Sequence, residues 1–206
     1  VAIKVLLTGF EPFLDFKTNP TQKIVRNLNK KEKHGLQYIG EVLPVSFSEI
    51  EDRLVQLIDD EKPDLVIGTG LAAGRSKVSL EKIAINYKFS SEPDNRGKKA
   101  AGEKIDDELG DGVFSLLNVE ELYRLLNKAK IPAEISLSAG AYLCNYAMFV
   151  IVREAMRMGI KGGFVHFPAD TDLSTSLPSK SLPSMDMNNM VKAIEIIAEH
   201  EAAKRR

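Results

Sequence analysis

Ala133-Glu134-Ile135-Ser136-Leu137-Ser138-Ala139-Gly140-Ala141-Tyr142-Leu143-Cys144-Asn145-Tyr146 is the stretch from which the fold is read. It opens as a strand near Ala133 to Leu137, breaks at Ser138-Ala139-Gly140, and continues as a helix from about Ala141 to Met158. Gly162 to His166 then reads as another strand. Strand, helix and strand in that order make a crossover, the connection that parallel strands require. The same alternation extends toward the N-terminus. Ile3 to Leu7 reads as a strand ended by Thr8-Gly9, and Pro20 to Asn29 as a helix with Asn19 as N-cap and Pro20 at its first position. Tyr38 to Val45 follows as a strand, and Phe47 to Asp60 repeats Ile50, Leu54, Leu57 and Ile58 at helical spacing. Leu65-Val66-Ile67 is a buried strand closed by Gly68-Thr69-Gly70, and Val78 to Tyr87 alternates with period two. In that alternation Val78 and Leu80 share one face and Ser79, Glu81 and Ile83 the other. Ser91 to Asp111 reads as a long loop, Val119 to Lys130 as a helix, and Met187 to Ala203 as a last helix after a loose stretch that reaches Met185.

This order predicts an α/β fold, a three-layer α/β/α sandwich on a mostly parallel central sheet, as one domain over residues 1–206. Functional groups in such sheets gather at the C-terminal strand ends. Thr8-Gly9, Gly68-Thr69-Gly70, Ser138-Ala139-Gly140 and His166 are all expected there.

Bulk composition narrows the function. Net charge is −1, so the chain as a whole offers no electrostatic reason to bind nucleic acid or acidic lipid. The basic clusters Lys30-Lys31-Glu32-Lys33 and Lys204-Arg205-Arg206 read as solvated surface. Ala147 to Val152 is too short an apolar run to cross a bilayer. The opening Val1-Ala2-Ile3-Lys4-Val5-Leu6-Leu7 reads as a buried strand and not as a signal peptide. A single cysteine excludes an internal disulfide and points to the cytoplasm.

That cysteine, Cys144, sits near a predicted helix start, where the partial positive charge of the helix end favours a thiolate. Packing as a small hydrophobe is its other reading. His166, at a strand end, is the histidine best placed to join it, whereas His34 and His200 read as surface. No histidine pair has ligand spacing and no second cysteine exists, which disfavours zinc. Glu81, among apolar neighbours in a strand, is either ion-paired with a lysine such as Lys77 or Lys82, or the acid of a Cys-His-acid set. Spacing does not choose between the two. Gly68 to Arg75 lacks the following helix of a phosphate loop and reads as a tight loop approaching a small ligand. Phe10 and Phe13 are expected in a loop after the first strand.

Several segments together resemble the type I pyroglutamyl peptidases. They are Thr8-Gly9-Phe10-Glu11-Pro12-Phe13 with Asn19-Pro20, Gly70 to Ser76 through Glu81-Lys82-Ile83-Ala84-Ile85-Asn86, and Pro93-Asp94-Asn95. Ser138 to Tyr146 and Val165-His166-Phe167-Pro168 complete the set, with a weaker match at Leu182-Pro183-Ser184-Met185. The resemblance implies the three-layer fold and a cysteine peptidase that removes N-terminal pyroglutamate from peptides, without metal or cofactor. By position, Cys144 would be the nucleophile, His166 the base and acid, and Glu81 the group that orients His166. Phe10, Phe13, Asn19, Leu71 and Tyr142 would form the pyroglutamate pocket. The family is commonly dimeric or tetrameric, so a homo-oligomer is implied. This chain departs from the family at Ser91, where arginine is usual, at Tyr142, where phenylalanine is common, and over Arg96 to Gly112. A lactam-binding module with weak or no turnover is the alternative.

Overall fold

The apolar run at the N-terminus forms β1 (Ile3–Phe10) in a computed structural model that describes residues 2–204. Val1 of the opening run and Arg205 and Arg206 of the basic tail lie outside the described residues. After α1 (Pro20–Leu28) come β2 (Glu32–Lys33), β3 (Leu36–Leu43), α2 (Ile50–Glu61) and β4 (Leu65–Leu71). The middle of the chain contributes β5 (Val78–Glu81), β6 (Ile83–Ile85), β7 (Lys88–Phe89), β8 (Ala101–Glu103) and β9 (Gly112–Phe114). Then follow α3 (Val119–Lys128), β10 (Ala133–Ser136), α4 (Leu143–Met158), β11 (Lys161–Phe167) and β12 (Ala169–Asp170), and the chain ends with α5 (Thr171–Ser176), β13 (Ser184–Met185) and α6 (Met187–Ala203).

Seven strands form the central sheet in the order β10-β5-β11-β4-β1-β3-β2. β1, β3, β4 and β11 run parallel, so the predicted α/β sandwich holds. Side chains alternate across it with period two. Val5, Leu7, Leu65, Ile67, Val165 and Phe167 pack with Ile24, Val25 and Leu28 of α1, Leu122 and Leu126 of α3, and Ile194 and Ile197 of α6. Leu6, Val66 and Phe164 face the other way, onto Leu54 and Ile58 of α2 and Phe149 and Ile151 of α4. α4 lies between the sheet, α2, β6 and β9. Its run from Tyr146 to Val152 is therefore buried all round, as a helix enclosed on every side must be.

Three expectations change. β1 and β4 do not stop at their glycines; they run on to Phe10 and Leu71. Each glycine marks a close approach: a Cβ on Gly9 would lie 2.6 Å from the Thr21 carbonyl oxygen, and one on Gly68 2.5 Å from the Phe164 ring. β3 runs beside Gly9 and Phe10, and β11 beside Thr69 to Leu71, and these ladders keep the strand ends extended. Second, the Val78–Tyr87 alternation is two strands. Asn145 of α4 accepts from the Ile85 N–H at 3.0 Å and donates to the carbonyls of Ile85 and Tyr87, drawing β6 off the sheet onto α4. Third, β5 and β10 run opposite to β11, so Ser138-Ala139-Gly140 does not leave the sheet at the same end as the parallel strands.

Candidate active site

Period two decides which groups meet. Val78 and Leu80 point into the core beneath α1, α3 and α6, which turns Ser79 and Glu81 toward α4. Val165 and Phe167 likewise leave Phe164 and His166 facing α4. Glu81 stands opposite Phe164 in the antiparallel pair, which makes His166 its diagonal neighbour on that face. The Nδ1 of His166 lies 2.8 Å from Glu81 Oε1. A carboxylate can only accept, so the proton sits on Nδ1 and Nε2 is left for another partner.

Cys144, the second residue of α4, lies beside the imidazole. Both side chains rest on Gly70 of β4: a Cβ there would lie 2.7 Å from Cys144 Sγ and 3.0 Å from His166 Cδ2. Tyr142, the N-cap of α4, is extended and caps no N–H with its side chain. The first-turn N–H groups, which have no acceptor within the helix, thus open beside the sulfur. Burial works against a charged His166, yet the Cys144 sulfur and the Glu81 carboxylate together raise its pKa from 6.5 to about 9. Glu81 is fully buried. Burial opposes its ionisation too, but His166, helped by the Ser136 hydroxyl and Arg75, holds its pKa below the ordinary carboxylate value. Neither Lys77 nor Lys82 is its partner. Arg75 Nη1 donates to Glu81 Oε1 at 2.9 Å, while Lys82 reaches Glu120 at 2.7 Å.

Phe10, Phe13, Asn19, Leu71 and Tyr142 line one cavity with Cys144, joined by Val45 and Leu143, which the sequence reading did not single out. Phe10 is the buried last residue of β1 and not a loop residue. Phe13 is in the loop that follows, with its ring 6.4 Å from that of Tyr142. Burial, with Asp94 and Cys144 nearby, pushes the Tyr142 hydroxyl up to about 12, so it stays a donor and bonds the Pro93 carbonyl at 3.1 Å. Asn19 Oδ1 accepts from both the N–H and the hydroxyl of Thr21, and Nδ2 donates to the Glu11 carbonyl. One Nδ2 proton remains for a ligand. The cavity is small, about 10 Å³, room for about one water.

The walls are braced by Pro93-Asp94-Asn95, inside the stretch expected as a long loop. Buried Asp94 accepts from the N–H groups of Phe47, Arg96 and Lys98 at 2.8–2.9 Å. Asn95 Nδ2 donates to Glu11 Oε1 and the Pro12 carbonyl, both at 2.9 Å. Nothing in local periodicity announces this brace, because its partners in the pocket walls, Phe47, Glu11 and Pro12, follow β3 and β1 far along the chain. Ser91 borders a separate surface depression with Leu14, Phe89 and Tyr142, outside the cavity that holds Cys144. His34 is exposed as expected, but His200 is largely covered, its side chain 14% exposed. Among the described residues no group of three or more His, Cys, Asp or Glu is placed to hold a metal, and no helix is long and apolar enough to cross a membrane.

Residues 3–205 match the family model described as pyroglutamyl peptidase. The chain belongs to the pyroglutamyl peptidase family. It is accordingly a hydrolase of that peptidase type. Among its relatives, a pyrrolidone-carboxylate peptidase 1 of Saccharolobus solfataricus is 49% identical, over 95% of this chain and 92% of its own. A pyrrolidone-carboxylate peptidase of Thermococcus onnurineus is 40% identical over 95% of this chain and 96% of its own. A solved structure of the pyrrolidone carboxyl peptidase from the hyperthermophile Pyrococcus furiosus superposes with a TM-score of 0.94 at 35% identity, covering 98% of this chain and 99% of that one. The pyroglutamyl peptidase fold thus extends over nearly the whole chain.

Proposed function

We propose that the protein removes pyroglutamate from the N-terminus of peptides by thiol catalysis, with Cys144 as nucleophile, His166 as acid and base, and Glu81 orienting His166. One observation carries this reading: the His166 imidazole is held by Glu81 at 2.8 Å on Nδ1 and shares the space over Gly70 with Cys144, at the wall of an aromatic cavity. Pyroglutamate is a neutral lactam, suited to a pocket walled by Phe10, Phe13 and Tyr142 with few polar groups. The spare Asn19 N–H is placed to bond a lactam oxygen. A free N-terminal glutamine brings an ammonium that this pocket cannot pair.

The Cys144 thiolate attacks the pyroglutamyl carbonyl carbon, and the first-turn N–H groups of α4 stabilise the oxyanion. As the C–N bond breaks, His166 Nε2 passes its proton to the departing amine, leaving a thioester on Cys144. His166 then takes a proton from water, whose oxygen attacks the thioester and releases pyroglutamate and the thiolate. Glu81 keeps the imidazole in the tautomer that both steps need. Release of a fluorescent amine from a pyroglutamyl amide, before and after alkylation of Cys144, tests the reading. Hydrolysis abolished by alkylation is expected; hydrolysis that survives it rejects the thiol mechanism.

A further inference from the structure

Arg75 touches both Glu81 and the segment leading to the cysteine. It leaves the turn after β4 and forks across the site. Nη1 donates to Glu81 Oε1 at 2.9 Å and to Ser136 Oγ at 3.4 Å, and Nη2 donates to the Ser138 carbonyl at 3.2 Å. Its side chain is 34% exposed, whereas that of Glu81 is fully buried. Oε1 therefore accepts from Arg75 and His166 together, while Oε2 has no hydrogen-bond partner among the described residues. Arg75 is thus the second donor on the very oxygen that bonds His166 Nδ1. A planar guanidinium supplies that contact with direction as well as charge.

We infer that Arg75 is a positioning residue of the reaction, holding Glu81 Oε1 on His166 Nδ1 and tying that pair to the Ser136–Ser138 segment from which the chain runs to Cys144. The inference rests on the catalytic reading of Cys144 and His166 above. Among the described residues, the titratable and charged groups near the imidazole are Cys144 on α4, Glu81 on β5 and Arg75 in the turn after β4. On β10, Glu134 is engaged by Ser79 Oγ at 2.8 Å. Arg75 is not part of the cavity wall, so it acts on the chemical step rather than on substrate binding.

The experiment compares wild type with Arg75→Met and Arg75→Lys in kinetics on a pyroglutamyl amide, and follows the His166 ring by ¹³C NMR titration, which needs no substrate. For Arg75→Met, kcat falls about 10- to 100-fold, the range for a hydrogen bond to a charged group, and KM stays within about threefold. Loss of the positive charge leaves the Glu81 field on the imidazole uncompensated. His166 then keeps its proton to a pH higher by about half a unit or more. Unchanged kcat, or a fall in kcat with the titration unmoved, overturns the inference. Should Arg75→Met fail to fold, Arg75→Lys decides. It retains the charge and loses the fork, so a kcat lowered about three- to tenfold with an unmoved titration is expected, and wild-type kcat overturns the inference. Wild-type protein that is folded but hydrolyses no pyroglutamyl amide rejects the proposed function instead. In that case the His166 titration in Arg75→Met alone upholds or rejects the link between Arg75 and His166.

Discussion

Gly70 carries more of the site than its size suggests. The Cys144 sulfur and the His166 ring both lie where a Cβ would stand, with Phe164 3.0 Å away on the same side. Gly70→Ala must push the sulfur or the ring away, and overpacking of this kind costs about 1–3 kcal/mol. Activity should fall at least about tenfold while the protein still folds, read as kcat beside a modest drop in Tm. A variant with full kcat would mean that the sulfur and imidazole have slack. The His166 proton gives a second prediction at this scale. The leaving amine takes that proton, so kcat should decline as pH rises through about 9, where the folded imidazole loses it. A rate that climbs on well above about 9 would show that the protonated ring is not needed.

At the scale of elements, the Pro93-Asp94-Asn95 brace sets the pocket walls. Asn95 is exposed, yet its amide holds the Glu11–Pro12 segment ahead of Phe13. Asn95→Ala should raise KM several-fold with less than about 1 kcal/mol lost in stability, because its bonds are open to water. Asp94→Ala is different. Three backbone N–H groups lose their acceptor beneath a buried side chain, so stability falls by about 2–4 kcal/mol and KM rises with it. Urea unfolding beside KM separates the two variants; equal stability loss would show that the brace acts as one unit. These elements are partly legible in the sequence. α1, α2 and α6 announce themselves through helical spacing and an Asn19-Pro20 start, since capping and amphipathicity are local. The brace is not legible, since the bonds that tie it to the pocket walls join segments 47 to 84 residues apart, Asp94 with Phe47 and Asn95 with Glu11.

For the whole molecule, the buried imidazole links stability to pH. A histidine whose pKa is raised on folding adds stability that is complete below its unfolded value near 6.5 and is lost as pH climbs through about 9. Glu81, held below its ordinary value, acts in the opposite sense: its contribution is present above 4.5 and disappears as pH falls through the folded value. Tm should therefore be highest between these two ranges. Cys144→Ala should lose less stability than wild type between pH 6.5 and about 9, because one of the two groups that hold the His166 proton is gone. Identical Tm–pH curves for the two proteins would assign the effect to Glu81 alone.

The layered fold, the helix starts and the residues worth watching follow from the sequence by itself, because hydrophobic period, caps and rare residue types are written locally. The glycines of β1 and β4 mislead that reading, since a glycine that ends a strand and one that admits a neighbouring side chain look alike along the chain. Only the tertiary structure decided the direction of β5 and β10, the choice of Arg75 over Lys77 or Lys82 as the partner of Glu81, and the meeting of Cys144 with His166 over Gly70. Each of these depends on which strands become neighbours and in what register, and that is settled by burial of the whole sheet between its two helical layers.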